Sequence, residues 1–245
     1  TAGIPLKTLH TGGDEVPGGA WQKSPLCADL VASKEDLEGD VASITNYFTG
    51  RYGDILNERN LVVAGWEEIG LLLAGHGAPR RVNPAFVGQN FMPYVWNSIF
   101  GWGGEDIAYQ LANLGYKVVL CNASNLYFDL SYDKDPENAG LYWAGYVNTR
   151  TAYDFVPFDL FKTAQMGRYG EKLDPNELAK GQTKLNPKAQ ENVVGIQGQL
   201  WSETLIDPDR LELSTFPKLM GLAERAWAQQ PTWATDANVT KRFTS

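Results

Sequence analysis

Short apolar runs alternate with stretches whose apolar residues recur at three- and four-residue steps. Lys7–Thr11 reads as a short strand that leads into two glycines. After it, Trp21 and Pro25 fall in a loop. From Ser33 to about Asn57, Leu37, Val41, Ile44, Phe48, Tyr52 and Ile55 trace one helical face, with Ser33 suited to its start. Gly39, Gly50 and Gly53 weaken that helix and allow a break. Leu61–Trp66 is a strand-type run, and Ile69–Ala74 suits a brief helix ending at Gly75. Phe91–Asn97 is the next strand, and Glu105–Leu114 a helix closed by Gly115. Tyr116–Cys121 is the clearest strand of all. A long stretch rich in Asp, Tyr, Gly and Pro follows from Leu130 to Phe161; its aromatic content, with Tyr142, Trp143, Tyr146, Tyr153 and Phe155, argues against disorder. Residues 170–192 are polar and read as a surface connection. Val193–Leu200 is the last strand, and a final helix over Arg210–Gln229 is kinked or split by Pro217. The five strands are apolar throughout rather than alternating, as in a parallel sheet covered by helices. A closed (β/α) barrel takes eight.

Composition narrows this picture only a little. The 245 residues are 43 % hydrophobic and 20 % charged, ordinary globular values that allow one large domain or two small ones. The formal net charge of −8 disfavours nucleic acid and anionic membrane as partners, since both reward a basic surface. No apolar run approaches the roughly 20 residues that span a bilayer. The chain opens on Thr1 and enters a strand almost at once, as the interior of a longer protein would. Two cysteines, Cys27 and Cys121, allow at most one disulfide and read as unpaired and buried. With two histidines, His10 and His76, and no Cys or His cluster, a metal site is not expected. Asn122-Ala-Ser and Asn238-Val-Thr fit the glycosylation acceptor pattern.

The chemistry collects at the strand ends. The first strand runs into His10-Thr11-Gly12-Gly13-Asp14-Glu15. Adjacent residues of a regular strand point to opposite faces, so Asp14 and Glu15 serve one pocket only if the backbone bends, which Gly12 and Gly13 permit. Burial and mutual repulsion would then raise one pKa and leave a proton donor beside an anion. The second strand ends at Trp66-Glu67, the third at Trp96-Asn97, the fourth leads to Tyr127 and Asp129, and the fifth to Trp201 and Glu203. Singly, each aromatic could be a core residue and each acid a solvated one. Jointly, in a parallel barrel these ends share a face, and aromatic walls around carboxylates suit a sugar, whose C–H faces meet indole rings while its hydroxyls meet acceptors.

His10-Thr11-Gly12-Gly13-Asp14-Glu15 resembles the signature of the family-20 β-N-acetylhexosaminidases. Trp66, Trp96, Tyr127-Phe128-Asp129 and Trp201-Ser202-Glu203 follow in the family's order, and the insertion bearing Trp143 is similar to that of bacterial chitobiases. The resemblance implies an α/β fold of the (β/α) TIM-barrel type, with residues 1–245 forming the C-terminal portion of a single catalytic domain, about strands four to eight. It implies removal of terminal non-reducing N-acetylhexosamine from β-linked chito-oligosaccharides or glycoconjugates by a retaining, substrate-assisted mechanism without a cofactor. Glu15 would be the acid and later the base, Asp14 would orient the 2-acetamido group, and Tyr127 would hold its carbonyl oxygen. Trp66, Trp96 and Trp201 would line the pocket, Asp129 and Glu203 would bind hydroxyls, and Trp143 would stack on the next sugar. It also suggests an extracytoplasmic location.

The chain departs from the family in one respect. Family members begin their barrel with three further strands, the first carrying a sugar-gripping arginine, and no segment here matches them. An open five-stranded sheet would expose apolar surface, so the missing strands are expected from a longer parent chain, a separate piece or a second copy. Two rival expectations follow: a non-catalytic sugar-binding module, and a partial barrel that is inactive alone. The glycosidase reading hinges on whether Glu15 and the indoles of Trp66, Trp96 and Trp201 face one cavity.

Overall fold

The computed structural model describes residues 3–17, 19–37, 43–72 and 80–228. The chain divides into two compact units, one formed by residues 1–94 with 111–118 and the other by 95–110 with 119–245.

The first unit holds a run of parallel strands. β1 (Thr8–His10) pairs with β2 (Val62–Trp66), Thr8 opposite Val62, and β2 pairs on its other side with β5 (Phe91–Val95), Val63 opposite Phe91. Val63, Ala64 and Phe91 are buried, as strands covered on both faces require. Among the described residues β1 has a neighbour on one side only, and its flank stays open: Ile4 is 84 % exposed and Leu6 62 %. Two helices connect β1 to β2. α1 (Pro25–Ser33) starts where the sequence reading places a loop, because Pro25 takes the first helical position and the Ser24 hydroxyl accepts from the Cys27 N–H at 3.4 Å. Ser33 therefore ends a helix instead of starting one. α2 (Ile44–Asn57) covers the second half of the expected periodic segment; Gly39 and Val41 lie outside the described residues. The expected helix after Ile69 is instead a 3-10 turn over Glu67–Gly70 followed by β3 (Leu71–Leu72), antiparallel to β4 (Arg81–Val82). Residues 73–75 lie outside the description.

The division between the units falls at the end of β5 and again inside α3 (Ile107–Leu114) and β6 (Val118–Leu120). In the second unit, Cys121 N–H donates to Val95 O at 2.8 Å and Ala123 N–H to Trp96 O at 3.0 Å. α4 (Ala123–Leu126) then carries the chain to Tyr127. The segment from Leu130 to Phe161 is ordered, with α5 (Thr149–Tyr153) started by a reciprocal cap between Asn148 and Thr151. Its apolar residues Ala144, Val147 and Ala152 join Ile99, Tyr127, Phe128 and Leu130 in one core, against which Trp96, Trp143 and Leu222 pack. The polar connection carries the short helix α6 (Pro175–Leu178). β7 (Val193–Ile196) is the fifth of the expected strands, and Gln197 N–H bonds Leu120 O at 2.9 Å.

The final helix is split at Phe216-Pro217 into α7 (Pro208–Thr215) and α8 (Lys218–Trp227). Part of its expected core face is uncovered: Leu211, Leu219 and Trp227 are all exposed, Trp227 to 90 %. The 3.6-residue period marks a face suited to burial but cannot supply the surface that would bury it. Cys27 and Cys121 are both free thiols, Cys121 buried and Cys27 only partly so. Asn122 is fully buried, which removes its acceptor sequon from contention, and Asn238 lies outside the described residues.

Candidate active site

In the first unit the acid motif is built on the end of β1. Thr11 keeps the strand zipped to β2, its N–H and hydroxyl both donating to Ala64 O at 2.8 and 2.9 Å, and Trp66 N–H closes on Gly12 O at 2.9 Å. The chain then bends as its glycines allow, with φ of 71° at Gly12 and 93° at Gly13. Gly65 makes the close crossing possible, since a Cβ there would stand 2.8 Å from Gly12 O and 2.7 Å from Ile69 Cγ2. Glu15 itself holds φ at 47°, a left-handed conformation uncommon in residues with a side chain.

The bend does not bury the acids. Asp14 and Glu15 are both exposed, contrary to the expectation of a shared cavity. The reason lies in their position. They follow a strand that is paired on one side only, and among the described residues nothing covers that flank. Behind them, the His10 ring meets Trp66 edge-on at 5.0 Å and Tyr94 at 4.9 Å. This packing pushes the His10 pKa down, against an opposing pull from Asp14. His10 also accepts a hydrogen bond from Gly12 N–H at Nδ1, at 3.3 Å, so a neutral imidazole braces the bend.

The second unit brings four aromatic rings into continuous contact. Trp96 meets Trp143 at 6.0 Å, Trp143 meets Tyr127 at 5.6 Å, and Tyr127 meets Trp201 at 6.1 Å. Tyr127 is buried, Trp96 and Trp143 are half-buried, and Trp201 is exposed. Two strand ends, the segment after β6 and the insertion therefore meet as a set. Asp129 stands beside it, 4 % exposed, with Oδ1 unbonded. Burial raises its pKa to about 6; the backbone N–H groups of Trp201 and of Asp129 itself oppose that rise, Glu203 adds to it, and Lys218 opposes it. A buried carboxyl perturbed in this way, among aromatic rings, is characteristic of a functional site. Glu203 lies on the exposed segment after β7.

The catalytic-domain model of glycosyl hydrolase family 20 matches residues 2–230. The chain belongs to glycosyl hydrolase family 20. This family-20 chain is 31 % identical over 228 residues to a beta-hexosaminidase of Vibrio vulnificus, covering 92 % of the chain and 25 % of that protein. It is 27 % identical over 270 residues to the N,N'-diacetylchitobiase of Vibrio harveyi, covering 97 % and 28 %. Among solved structures it matches an exo beta-N-acetylglucosaminidase from Vibrio harveyi in complex with N-acetylglucosamine, at 28 % identity and a TM-score of 0.66, covering 95 % of this chain and 30 % of that one. It also matches the beta-N-acetylhexosaminidase of Streptomyces coelicolor, at 26 % identity and a TM-score of 0.55, covering 97 % and 36 %. The chain spans about a quarter of the length of the curated relatives it matches. The parallel strands and helices thus make up part of a (β/α) TIM-type barrel, as the motifs imply. No helix among the described residues is long and apolar enough to cross a membrane.

Reading the sequence missed three contributors. His10 is visible in the motif but its ring partners are not, Tyr94 carries no signal inside an apolar strand, and Lys218 looks like any surface lysine.

Proposed function

We propose that this chain forms the acid-motif and aromatic-wall portion of a β-N-acetylhexosaminidase, which removes terminal N-acetylhexosamine from β-linked chito-oligosaccharides or glycoconjugates. The observation that carries this is the run of contacting rings Trp96–Trp143–Tyr127–Trp201 beside the buried Asp129, in a chain whose relatives are hexosaminidases. In the proposed reaction the carbonyl oxygen of the substrate's 2-acetamido group attacks the anomeric carbon. Glu15 gives its proton to the departing glycosidic oxygen, and an oxazolinium ring forms. Asp14 takes up the positive charge at the acetamido nitrogen while the Tyr127 hydroxyl holds the attacking oxygen. Glu15 then draws a proton from water, which adds to the anomeric carbon and reopens the ring, leaving its configuration retained.

A nucleophile already on the substrate gains from proximity once its rotation is fixed, and Asp14 and Tyr127 are assigned that restraint. Trp66, Trp96 and Trp201 are assigned to the sugar's faces, Asp129 and Glu203 to its hydroxyls, and Trp143 to the following sugar. The left-handed backbone at Glu15 fits a residue held for a task, since strained conformations cluster at active sites. The remaining barrel strands and the arginine would be supplied by a longer polypeptide, and an extracytoplasmic location is part of this proposal.

The exposure of Asp14 and Glu15 favours a second reading, in which the 245 residues alone bind sugar without turning it over. Assay of the wild-type 245-residue chain, and of wild type and Glu15→Gln in the full polypeptide, with a chromogenic N-acetylglucosaminide separates the two. The enzyme reading expects sugar binding kept and turnover lost; a wild-type protein that binds but never turns over supports the module.

A further inference from the structure

We propose that Lys218 is a positioning residue for Asp129, its buried ammonium tying down the two peptide carbonyls that flank this acid and so holding the carboxyl in place. The placement stands on geometry alone, whereas its consequence for sugar binding rests on the function proposed above.

Lys218 is the first residue of α8 and is 0 % exposed. Its Nζ donates to Phe128 O at 2.7 Å and to Leu130 O at 2.9 Å, across 90 and 88 residues of sequence. The same ammonium lies 3.9 Å from the centroid of the Tyr132 ring. Phe128 is held from the other side too, its N–H bonding Gln199 O at 2.8 Å. Asp129 is therefore fixed between the segment after β7 and the start of α8, two residues beyond Tyr127. A buried ammonium is costly, and a nearby carboxylate offsets part of that cost. Asp129, 4 % exposed, sits between the two carbonyls that the ammonium holds, and the charges of the two residues act on each other. Burial lowers the Lys218 pKa to about 7, and Asp129 opposes the fall.

On α8 itself, Arg225 pairs with the exposed Glu224 at 3.4 Å. Glu203 acts on Asp129 and would raise its pKa. On α5, which packs against α8, Arg150 pairs with Asp154 at 3.2 Å, and the Tyr153 ring lies 4.7 Å from the Arg225 guanidinium. α7 carries Asp209, Arg210 and Glu212, of which Asp209 and Glu212 are exposed.

The test uses the full polypeptide labelled with carbon-13 at lysine Cε, read by NMR across pH. One lysine should titrate near neutrality, be absent from Lys218→Met, and move down by about one pH unit in Asp129→Asn, the lower end of the effect of an opposite charge. A Lys218 that titrates near its ordinary pH, or one indifferent to Asp129→Asn, overturns the coupling of the two residues. Asp129→Asn keeps the shape of the site, so this arm stands even where Lys218→Met fails to fold. In calorimetry, Lys218→Met should weaken N-acetylglucosamine at least tenfold; unchanged affinity in the folded variant overturns the positioning role. A wild-type protein that does not bind N-acetylglucosamine defeats the sugar reading instead, while the lysine titration still decides the coupling.

Discussion

Replacing Gly65 by Ala tests how the acid motif is held. The added Cβ would stand 2.7 Å from Ile69 Cγ2, 2.8 Å from Gly12 O and 3.0 Å from Thr11 Oγ1. Ile69 is buried, so its side chain has little room to yield, and Gly12 O is backbone. Relief would come from moving the chain after β1 away from β2, which lengthens the 2.9 Å bond from Trp66 N–H to Gly12 O. Overpacking of this kind costs about 1–3 kcal/mol, and a weakened hydrogen bond adds about 1. The expected destabilisation is then about 3 kcal/mol. At a few degrees per kcal/mol for a chain of this size, the melting temperature should fall by roughly 6–12 °C. Calorimetry on the intact protein measures the shift. Gly195→Ala is the control, because nothing lies within 4 Å of its added Cβ, and it should stay within about 0.5 kcal/mol of wild type. A Gly65→Ala protein as stable as Gly195→Ala, with hydrolysis intact, would refute the claim that this crossing fixes the acids.

Three further outcomes follow from the geometry. Tyr127→Phe should leave the fold intact, since the ring keeps its contacts with Trp143 and Trp201, yet lower kcat by about 10²–10³, the usual loss for one transition-state hydrogen-bond donor; steady-state kinetics on a chromogenic N-acetylglucosaminide decides. The Asp129 pKa rises from 3.8 to about 6 on folding, so between those values the folded protein holds a proton that the unfolded chain has released. Its contribution is full below about pH 4 and lost as pH rises through 6, at most about 3 kcal/mol, and denaturation across pH should show this slope vanish in Asp129→Asn. Ile4→Lys with Leu6→Lys, on the open flank of β1, should reduce self-association of the 245-residue chain in light scattering; a wild-type chain that stays monomeric contradicts the aggregation expected of that flank.

β2, β5 and β6 were legible in the sequence because each is a short apolar run, and Val63, Val95, Val118 and Leu120 are buried; Leu9 of β1 and Val194 of β7 are exposed. Their aromatic and acidic ends were legible because polar residues return abruptly after each apolar run, although Glu67, Asn97 and Asp129 stay buried. The start of α1 was not, because Pro25 serves a loop and a first helical turn equally well and only the Ser24 cap decides. Nor was the exposure of Asp14 and Glu15, which depends on what lies beside β1 and not on any local preference. Lys218 shows the limit most plainly. Whether a lysine at the start of a helix reaches solvent or two backbone carbonyls 90 residues away is a property of the packed chain.

The central claim is that the substrate's own acetamido oxygen is the nucleophile. The most direct measurement is kcat across a set of chromogenic glucosaminides whose N-acetyl methyl carries zero, one, two or three fluorines. Each fluorine withdraws electron density from the attacking carbonyl without changing the sugar or the leaving group. The account predicts a steep, progressive fall in kcat along the series. Rates that stay level would show that another group attacks the anomeric carbon and would contradict it.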